Sequence, residues 1–62
     1  MFLKIKYKNE SAIFLNTDFF RISRVEIDNN VARVEIINRN GEEEVFDDIE
    51  YSGEFKDYVE GL

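Results

Sequence analysis

The fold is decided by the stretch Val31-Ala32-Arg33-Val34-Glu35-Ile36-Ile37-Asn38-Arg39-Asn40-Gly41-Glu42-Glu43-Glu44-Val45-Phe46-Asp47. Two runs of alternating apolar and polar residues lie on either side of Asn40-Gly41. That dipeptide is typical of tight turns because both residues tolerate positive φ. A side-chain period of two indicates half-buried strands. The stretch therefore predicts an antiparallel β-hairpin.

The length of the loop decides which side chains of this hairpin face the core. A two-residue loop sets Val45 opposite Ile36 and leaves Phe46 on the outer face. A three-residue loop, Asn40–Glu42, sets Phe46 opposite Ile36 and Val45 opposite Ile37. We expect the three-residue loop because it buries the larger side chain. Ile37 and Val45 then share the outer face, where a second copy or a partner would cover them.

The other segments complete one small domain over residues 1–62. Met1–Lys8 alternates, with its lysines facing solvent, and the run Ala12–Leu15 pairs back on it with Phe14 pointing outward. A bulge near Ser23 brings Ile22 into phase with the strand that follows it. We expect strands near residues 2–8, 12–15, 22–27, 31–39 and 43–47. The predicted fold class is mainly β: a small antiparallel β-meander or SH3-like barrel of about five strands with a short C-terminal helix.

Two short helical segments are also predicted. Asn16–Asp18 offers caps for a single turn over Phe19–Arg21, which would close one end of the sheet. A second segment, near residues 49–60, would begin at an Asp47 or Asp48 cap. Gly53 lowers the helix propensity there by about 1 kcal/mol relative to alanine. We therefore expect a break, or a second start at Ser52.

The apolar residues exceed what one small sheet can cover. The chain is short and lacks cysteine and histidine, yet 44% of it is hydrophobic. A domain of this size buries a small core, and self-association buries more. The helical spacing of the C-terminal apolar residues suits packing on the sheet or on a neighbouring molecule. Candidates for an oligomer interface are Phe14, Ile37, Val45, Phe55, Tyr58 and Leu62.

Charge is distributed unevenly along the chain. Residues 1–40 carry a net charge of +2, and residues 41–62 carry −8. An acidic surface repels nucleic acid and attracts basic partners, although it also serves solubility alone. Candidates for binding a protein partner are Glu42, Glu43, Glu44, Asp47, Asp48 and Glu50. The absence of cysteine and of a long apolar run favours a cytoplasmic protein without a membrane segment.

Catalytic and metal motifs are missing from the sequence. No serine has a histidine base, no cysteine offers a thiolate, and the three glycines are isolated. Clustered carboxylates suit Ca²⁺, but their spacing matches no calcium loop. We expect neither enzymatic activity nor a metal or cofactor. The pI near 4.5 argues against a groove that binds nucleic acid. The residues that could form such a groove are Arg21, Arg24, Arg33, Arg39, Phe14 and Phe19.

Four stretches of the chain together match a known pattern: Leu3-Lys4-Ile5, Ile13-Phe14-Leu15-Asn16, Val34-Glu35-Ile36 with Asn40-Gly41, and Val45-Phe46-Asp47-Asp48-Ile49-Glu50. In these stretches the chain resembles the small FlbD-like family of flagellar and swarming-motility proteins. The resemblance extends to about Tyr51 and implies a small β fold. The family pattern carries a glycine in the first turn, where this chain has Asn9-Glu10-Ser11.

The sequence predicts a non-enzymatic protein-binding module that associates with itself. One alternative is an acidic inhibitor, such as a phage could encode, that occupies a basic groove of a host or defence protein. A further alternative, an adaptor in flagellar assembly, is what the family resemblance implies.

Overall fold

The computed structural model describes all 62 residues and is mainly β. Five antiparallel strands form a meander of two sheets, and one short helix follows. The first sheet pairs β1 with β2, and the second has the order β3-β4-β5. The elements are β1 Phe2–Lys6, β2 Ala12–Asn16, β3 Phe20–Asp28, β4 Val31–Asn38, β5 Glu43–Glu50 and α1 Gly53–Glu60.

The two sheets meet where β1 ends beside β5. Tyr7 forms an isolated antiparallel bridge with Ile49. The amide of Lys8 donates a hydrogen bond of 2.9 Å to the carbonyl oxygen of Asp48. Helix α1 contacts β1 and contributes Phe55 to the core. The N-terminal hairpin is thus attached to the rest through β5 and α1.

The core forms from the inward side of each alternating strand and one helical aromatic residue. The edge of the Tyr51 ring meets the Phe55 ring at a centroid distance of 5.9 Å and an angle of 87°. No polar or charged residue is buried. Period-two patterning therefore accounts for nearly all of the interior. Its seven residues are Leu3, Ile5, Ala32, Val34, Ile36, Ile49 and Phe55.

The β4–β5 loop has three residues, but it begins one residue earlier than predicted. It comprises Arg39–Gly41, and Gly41 has a φ of +83°. The Gly41 amide donates to the Asn38 carbonyl at 3.0 Å, and the Asn38 amide donates to the Glu42 carbonyl at 2.9 Å. The Asn38 side-chain oxygen accepts from the amides of Asn40 and Glu42. A turn closed by a left-handed residue is typical of three-residue hairpins.

This shift of one residue changes the partners across the hairpin. Phe46 lies opposite Val34, and Val45 lies opposite Glu35. The predicted pairs of Ile36 with Phe46 and of Ile37 with Val45 are therefore wrong. The cause is Asn38, whose side chain fixes the start of the loop. Phe46 still faces the core, because moving the loop by one residue changes the register by two.

The bulge predicted near Ser23 is confirmed. The pairing of β3 with β4 shifts between Ile22 and Arg24. Ile22 then lies opposite Ile36, and Val25 lies opposite Val34. The extra residue restores the apolar phase of β3, as the spacing required.

The helical turn predicted for Phe19–Arg21 is wrong. The chain makes a tight turn, in which the Phe19 amide donates to the Asn16 carbonyl at 3.0 Å. The Asn16 side-chain oxygen accepts from the Asp18 amide at 3.0 Å instead of capping a helix. Phe20 and Arg21 already belong to β3, because pairing with β4 satisfies the backbone better than an isolated helical turn does.

The helix starts at the later of the two predicted positions. Strand β5 continues to Glu50, so a helix start near Ile49, capped by Asp47 or Asp48, is wrong. Ile49 is fully buried opposite Ala32, and this pairing outweighs the local helix signal. The second start is confirmed, since Ser52 is the N-cap of α1.

Candidate protein-binding surfaces

The outer side of the first sheet carries two exposed aromatic rings. Because Leu3 and Ile5 face the core, Phe2 must face outward. In the pairing of β1 with β2, Phe14 lies opposite Lys4, which makes Phe2 and Phe14 diagonal neighbours on one face. Each keeps 65% of its surface exposed. We call this surface the aromatic face, consisting of Phe2, Lys4, Lys6, Ala12 and Phe14.

Phe14 points outward as its strand pattern predicted, whereas Phe2 is a functional candidate that the interface prediction missed. The signal was present in the sequence, since the inward phase of Leu3 and Ile5 assigns Phe2 to the outer side. Its proximity to Phe14 depends on the pairing register of β1 with β2, which comes from the turn between them. Met1, 64% exposed, adjoins the same strand.

A second apolar surface lies on the outer side of the β4–β5 hairpin. Val45 is 45% exposed, and Ile37 is half-buried. The register makes them diagonal neighbours, because Ile37 pairs with Glu43 and Val45 pairs with Glu35. Their shared face agrees with the sequence expectation, although they do not lie directly opposite one another. This hairpin patch is therefore small and has carboxylates on both sides.

The remaining interface candidates belong to the C-terminal segment and do not form one surface. Phe55 is 1% exposed and packs in the core, so its predicted role at an interface is wrong. Tyr58 is half-buried and packs against the same core. Leu62 is 75% exposed beyond the end of α1. The helical spacing of Phe55 and Tyr58 therefore places these two residues against the core.

The acidic candidates lie along one strand and its loop but face different directions. Glu43 and Asp47 share the outer face with Val45, while Glu44 alternates to the opposite face. The Asp47 carboxylate lies 3.8 Å from the Arg33 guanidinium. Glu42 lies next to the loop, and Asp48 has a φ of +57° at the irregular step of β5. All five carboxylates are exposed.

Glu50, the sixth acidic candidate, differs from the others. It is half-buried, and its carboxylate lies 3.7 Å from the Lys6 ammonium. This ion pair connects β5 with β1. Glu50, like Asp47, is therefore partly neutralised from within the chain, and the acidic candidates without an ion pair are Glu42, Glu43, Glu44 and Asp48.

The residues considered for a nucleic-acid groove are divided between two faces. Arg21, Arg24 and Arg33 lie on the outer side of the second sheet, whereas Phe14 belongs to the first sheet. The Arg24 side chain already pairs with Glu26 at 3.1 Å. Only Phe19 and Arg39 meet, with the guanidinium 5.1 Å from the ring centre. This contact closes the end of the β3–β4 pair.

The surroundings of the Tyr51 phenol shift its pKa. Desolvation raises the pKa of its phenol above the ordinary value of 10.0, and the neighbouring Glu60 carboxylate raises it further. The Lys56 ammonium lies 6.0 Å from the Tyr51 ring centre. The phenol is therefore neutral at physiological pH and acts as a packing group.

Two further structural facts concern other kinds of site. No three His, Cys, Asp or Glu side chains are grouped so that they could hold a metal ion. The structure contains no helix with the length and apolar character needed to cross a membrane.

Comparison with known proteins found no matching family model, no matching curated protein and no matching solved structure. The resemblance to the FlbD-like family stays a prediction, as does the flagellar adaptor role that it implies.

Proposed function

We propose that the chain is a non-enzymatic, cytoplasmic protein-binding module that associates with copies of itself. The observation that carries this proposal is the aromatic face. Phe2 and Phe14 expose 65% of their surfaces side by side. Aromatic side chains contribute strongly to binding at interfaces because they bury a large area with few rotatable bonds.

Self-association is favoured by the small size of the core. Seven residues of 62 are buried, so the chain has little internal apolar burial. A small domain without disulfides gains stability by covering its exposed apolar surface against another copy. The aromatic face and the hairpin patch provide such surface on both sheets.

Light scattering over a concentration series tests this proposal. We expect the mass to rise above the 7.4 kDa of one chain as the concentration increases. A Phe2→Ser, Phe14→Ser double variant should remain monomeric at concentrations where the parent chain associates. The Arg21→Ser, Arg24→Ser variant alters exposed residues of the other sheet and serves as the control. A parent chain that stays at 7.4 kDa throughout would overturn self-association.

A second candidate function is supported by the exposed carboxylates of β5 and its loop. Glu42, Glu43 and Glu44 are exposed, and none of them forms an ion pair within the chain. We propose as the alternative an acidic inhibitor, such as a phage could encode, whose carboxylates occupy a basic groove of a host or defence protein. Such binding weakens as salt is added, because the attraction between the charges is screened.

Matched charge removal tests the inhibitor alternative. Glu42→Gln, Glu43→Gln and Glu44→Gln together should weaken binding to a basic nucleic-acid-binding protein at least tenfold. The control removes the same charge elsewhere through Glu10→Gln, Glu54→Gln and Asp57→Asn. Equal losses in both triple variants would indicate attraction by net charge alone and would contradict a defined acidic site.

A further inference from the structure

Strand β2 has an open edge that lacks charged side chains. It pairs with β1 on one side and with no strand on the other. Its five residues, Ala12–Asn16, include no acidic or basic group. Strand edges that carry no charge, bulge or cover readily pair with another strand. The open edge of β2 is therefore available to pair with a further strand.

The open edges of β3 and β5 carry features that disfavour pairing with another strand. Strand β3 contains Arg21, Arg24, Glu26 and Asp28 and is interrupted by the bulge at Ser23. Strand β5 carries five carboxylates among its eight residues. Pairing of β5 with its own copy would bring like charges together, which destabilises a cross-strand contact. Only β2 can meet its own copy without opposing charges or a bulge.

The hydrogen bonds of the first sheet show which backbone groups of β2 are available. The Tyr7 amide donates to the Ser11 carbonyl at 2.7 Å, and the Thr17 amide donates to the Met1 carbonyl at 2.8 Å. Antiparallel pairs alternate between hydrogen-bonded and non-hydrogen-bonded types. Odd-numbered residues of β2 therefore bond β1. Ala12 and Phe14 direct their amide and carbonyl groups to the open edge.

The turn after β2 limits how far a second strand can extend along this edge. The Asn16 carbonyl already accepts a hydrogen bond from the Phe19 amide. Phe19 thus occupies the position beside Asn16, and the accessible part of the edge ends near Leu15. Ala12 and Phe14 supply two donors and two acceptors within that part.

We infer that β2 pairs antiparallel with β2 of a second copy, with Ala12 of each chain opposite Phe14 of the other. This inference rests on the proposed self-association and names its surface and partner. Ile13 lies at the twofold axis, and the two sheets join into one sheet of four strands. Four hydrogen bonds form between the chains, because each Ala12–Phe14 pair exchanges two.

A second copy of β2 suits this edge better than a charged strand from another protein does. The pairing is self-complementary, since the same residues meet from both sides, as in a twofold dimer. Each Phe14 ring crosses over the small Ala12 of the other chain. The aromatic faces of the two copies become continuous, and no carboxylate enters the contact. An uncharged edge offers nothing that would select a basic or an acidic partner strand.

Two matched variants separate pairing through the edge from stacking through the aromatic face. Phe2 and Phe14 are equally exposed on the same face, but only Phe14 belongs to the edge strand. Phe14→Glu should weaken dimerisation at least tenfold, and Phe2→Glu should weaken it less than threefold. Circular dichroism checks that both variants fold. Equal weakening by both variants would overturn the edge pairing while leaving self-association intact.

A single-cysteine variant tests the same pairing directly. The chain has no cysteine, so Ile13→Cys can only cross-link to itself. Non-hydrogen-bonded pairs at a twofold axis bring Cα atoms to about 4.5 Å, which a disulfide spans. We expect a covalent dimer on oxidation, and none with Val45→Cys. A parent chain that dimerises while Ile13→Cys stays uncross-linked would overturn the edge pairing. A parent chain that stays monomeric would overturn self-association itself.

Discussion

The two sheets are built from the same alternating pattern, yet they expose different chemistry to solvent. The outer side of the second sheet carries ion pairs, with Arg24 at 3.1 Å from Glu26 and Arg33 at 3.8 Å from Asp47. The outer side of the first sheet carries Phe2 and Phe14 beside Lys4 and Lys6, and no carboxylate. Exposed apolar patches with polar residues around them are typical of surfaces that bind other proteins. The difference points to the smaller sheet as the association surface.

The β1–β2 and β4–β5 hairpins have loops of the same geometry, but a different residue occupies the left-handed position of each loop. In both, a three-residue loop ends on a residue with positive φ, and the same pair of backbone hydrogen bonds closes it. In the β4–β5 hairpin that residue is Gly41, with φ +83°. In the β1–β2 hairpin it is Glu10, with φ +74°. The first sheet therefore keeps a strained loop where the second has the residue suited to it.

The largest predicted effect concerns the attachment of the first sheet to the rest. Phe55→Ala should lower the free energy of unfolding by about 3–5 kcal/mol, because it empties a buried aromatic site beside β1. The free energy of unfolding of a domain of this length is about 3–9 kcal/mol in total, so the variant should lose a large part of its stability. Urea titration followed by circular dichroism measures this. Phe19→Ala, at a 49% exposed ring, is the control.

Substitutions at the left-handed loop positions, Glu10 and Gly41, test whether the loop of the first hairpin is strained. Glu10→Gly should raise the free energy of unfolding by up to about 1 kcal/mol, and Gly41→Glu should lower it by about 1–2 kcal/mol. Space is not the cause, since a Cβ at Gly41 would meet no atom within 4 Å. Gly41→Asn should cost less than Gly41→Glu because asparagine tolerates positive φ. Equal unfolding midpoints for all these chains in urea would show that neither loop is strained.

The raised pKa of Tyr51 gives a pH test of the packing beside α1. The unfolded chain ionises this phenol near pH 10.0, whereas the folded chain holds it neutral to higher pH. Its contribution is present below that pH and is lost as pH rises through the folded pKa. Between neutral pH and about pH 11, the melting temperature should therefore fall more steeply for the parent chain than for Tyr51→Phe. Parallel curves would contradict the shift.

The smallest predicted effect concerns the ion pair between the sheets. The Lys6 and Glu50 side chains are 47% and 40% exposed, so water screens their attraction. Lys6→Met should change the free energy of unfolding by less than about 1 kcal/mol. A double-mutant cycle with Glu50→Gln, at low and at high salt, isolates the pair. A larger coupling that survives high salt would mean that charge, and not Phe55 and Ile49, holds the sheets together.

Much of the fold was predictable because side-chain period and turn chemistry are local. The alternation near Leu3 and Ile5, the bulge at Ser23 and the helix start at Ser52 are all readable from the sequence. The register of the β4–β5 hairpin was not, because the side-chain hydrogen bonds of Asn38 set it. Ile49 was mistaken for a helical residue because its partner Ala32 is distant in the sequence, and distant pairing overrides local propensity.

The candidate surfaces were harder to predict than the strands. Phe14 and Phe2 could each be assigned to the outer side from its own strand, but only the pairing of the two strands makes them neighbours. Phe55 and Leu62 share a helical spacing, yet one is buried and the other exposed. Spacing defines a face, and only the position of the helix against β1 tells which residues on that face remain open.

The bridge between Tyr7 and Ile49 has a consequence for the order of folding. Strands β1–β2 and β3–β4–β5 pair only with neighbours along the chain, so both units form over short loops. The bridge instead closes a loop of roughly forty residues, which is entropically slower. We infer that docking of the N-terminal hairpin onto β5 and α1 completes folding and limits its rate. By the same reasoning, we expect detachment of this hairpin to be an early opening of the native state.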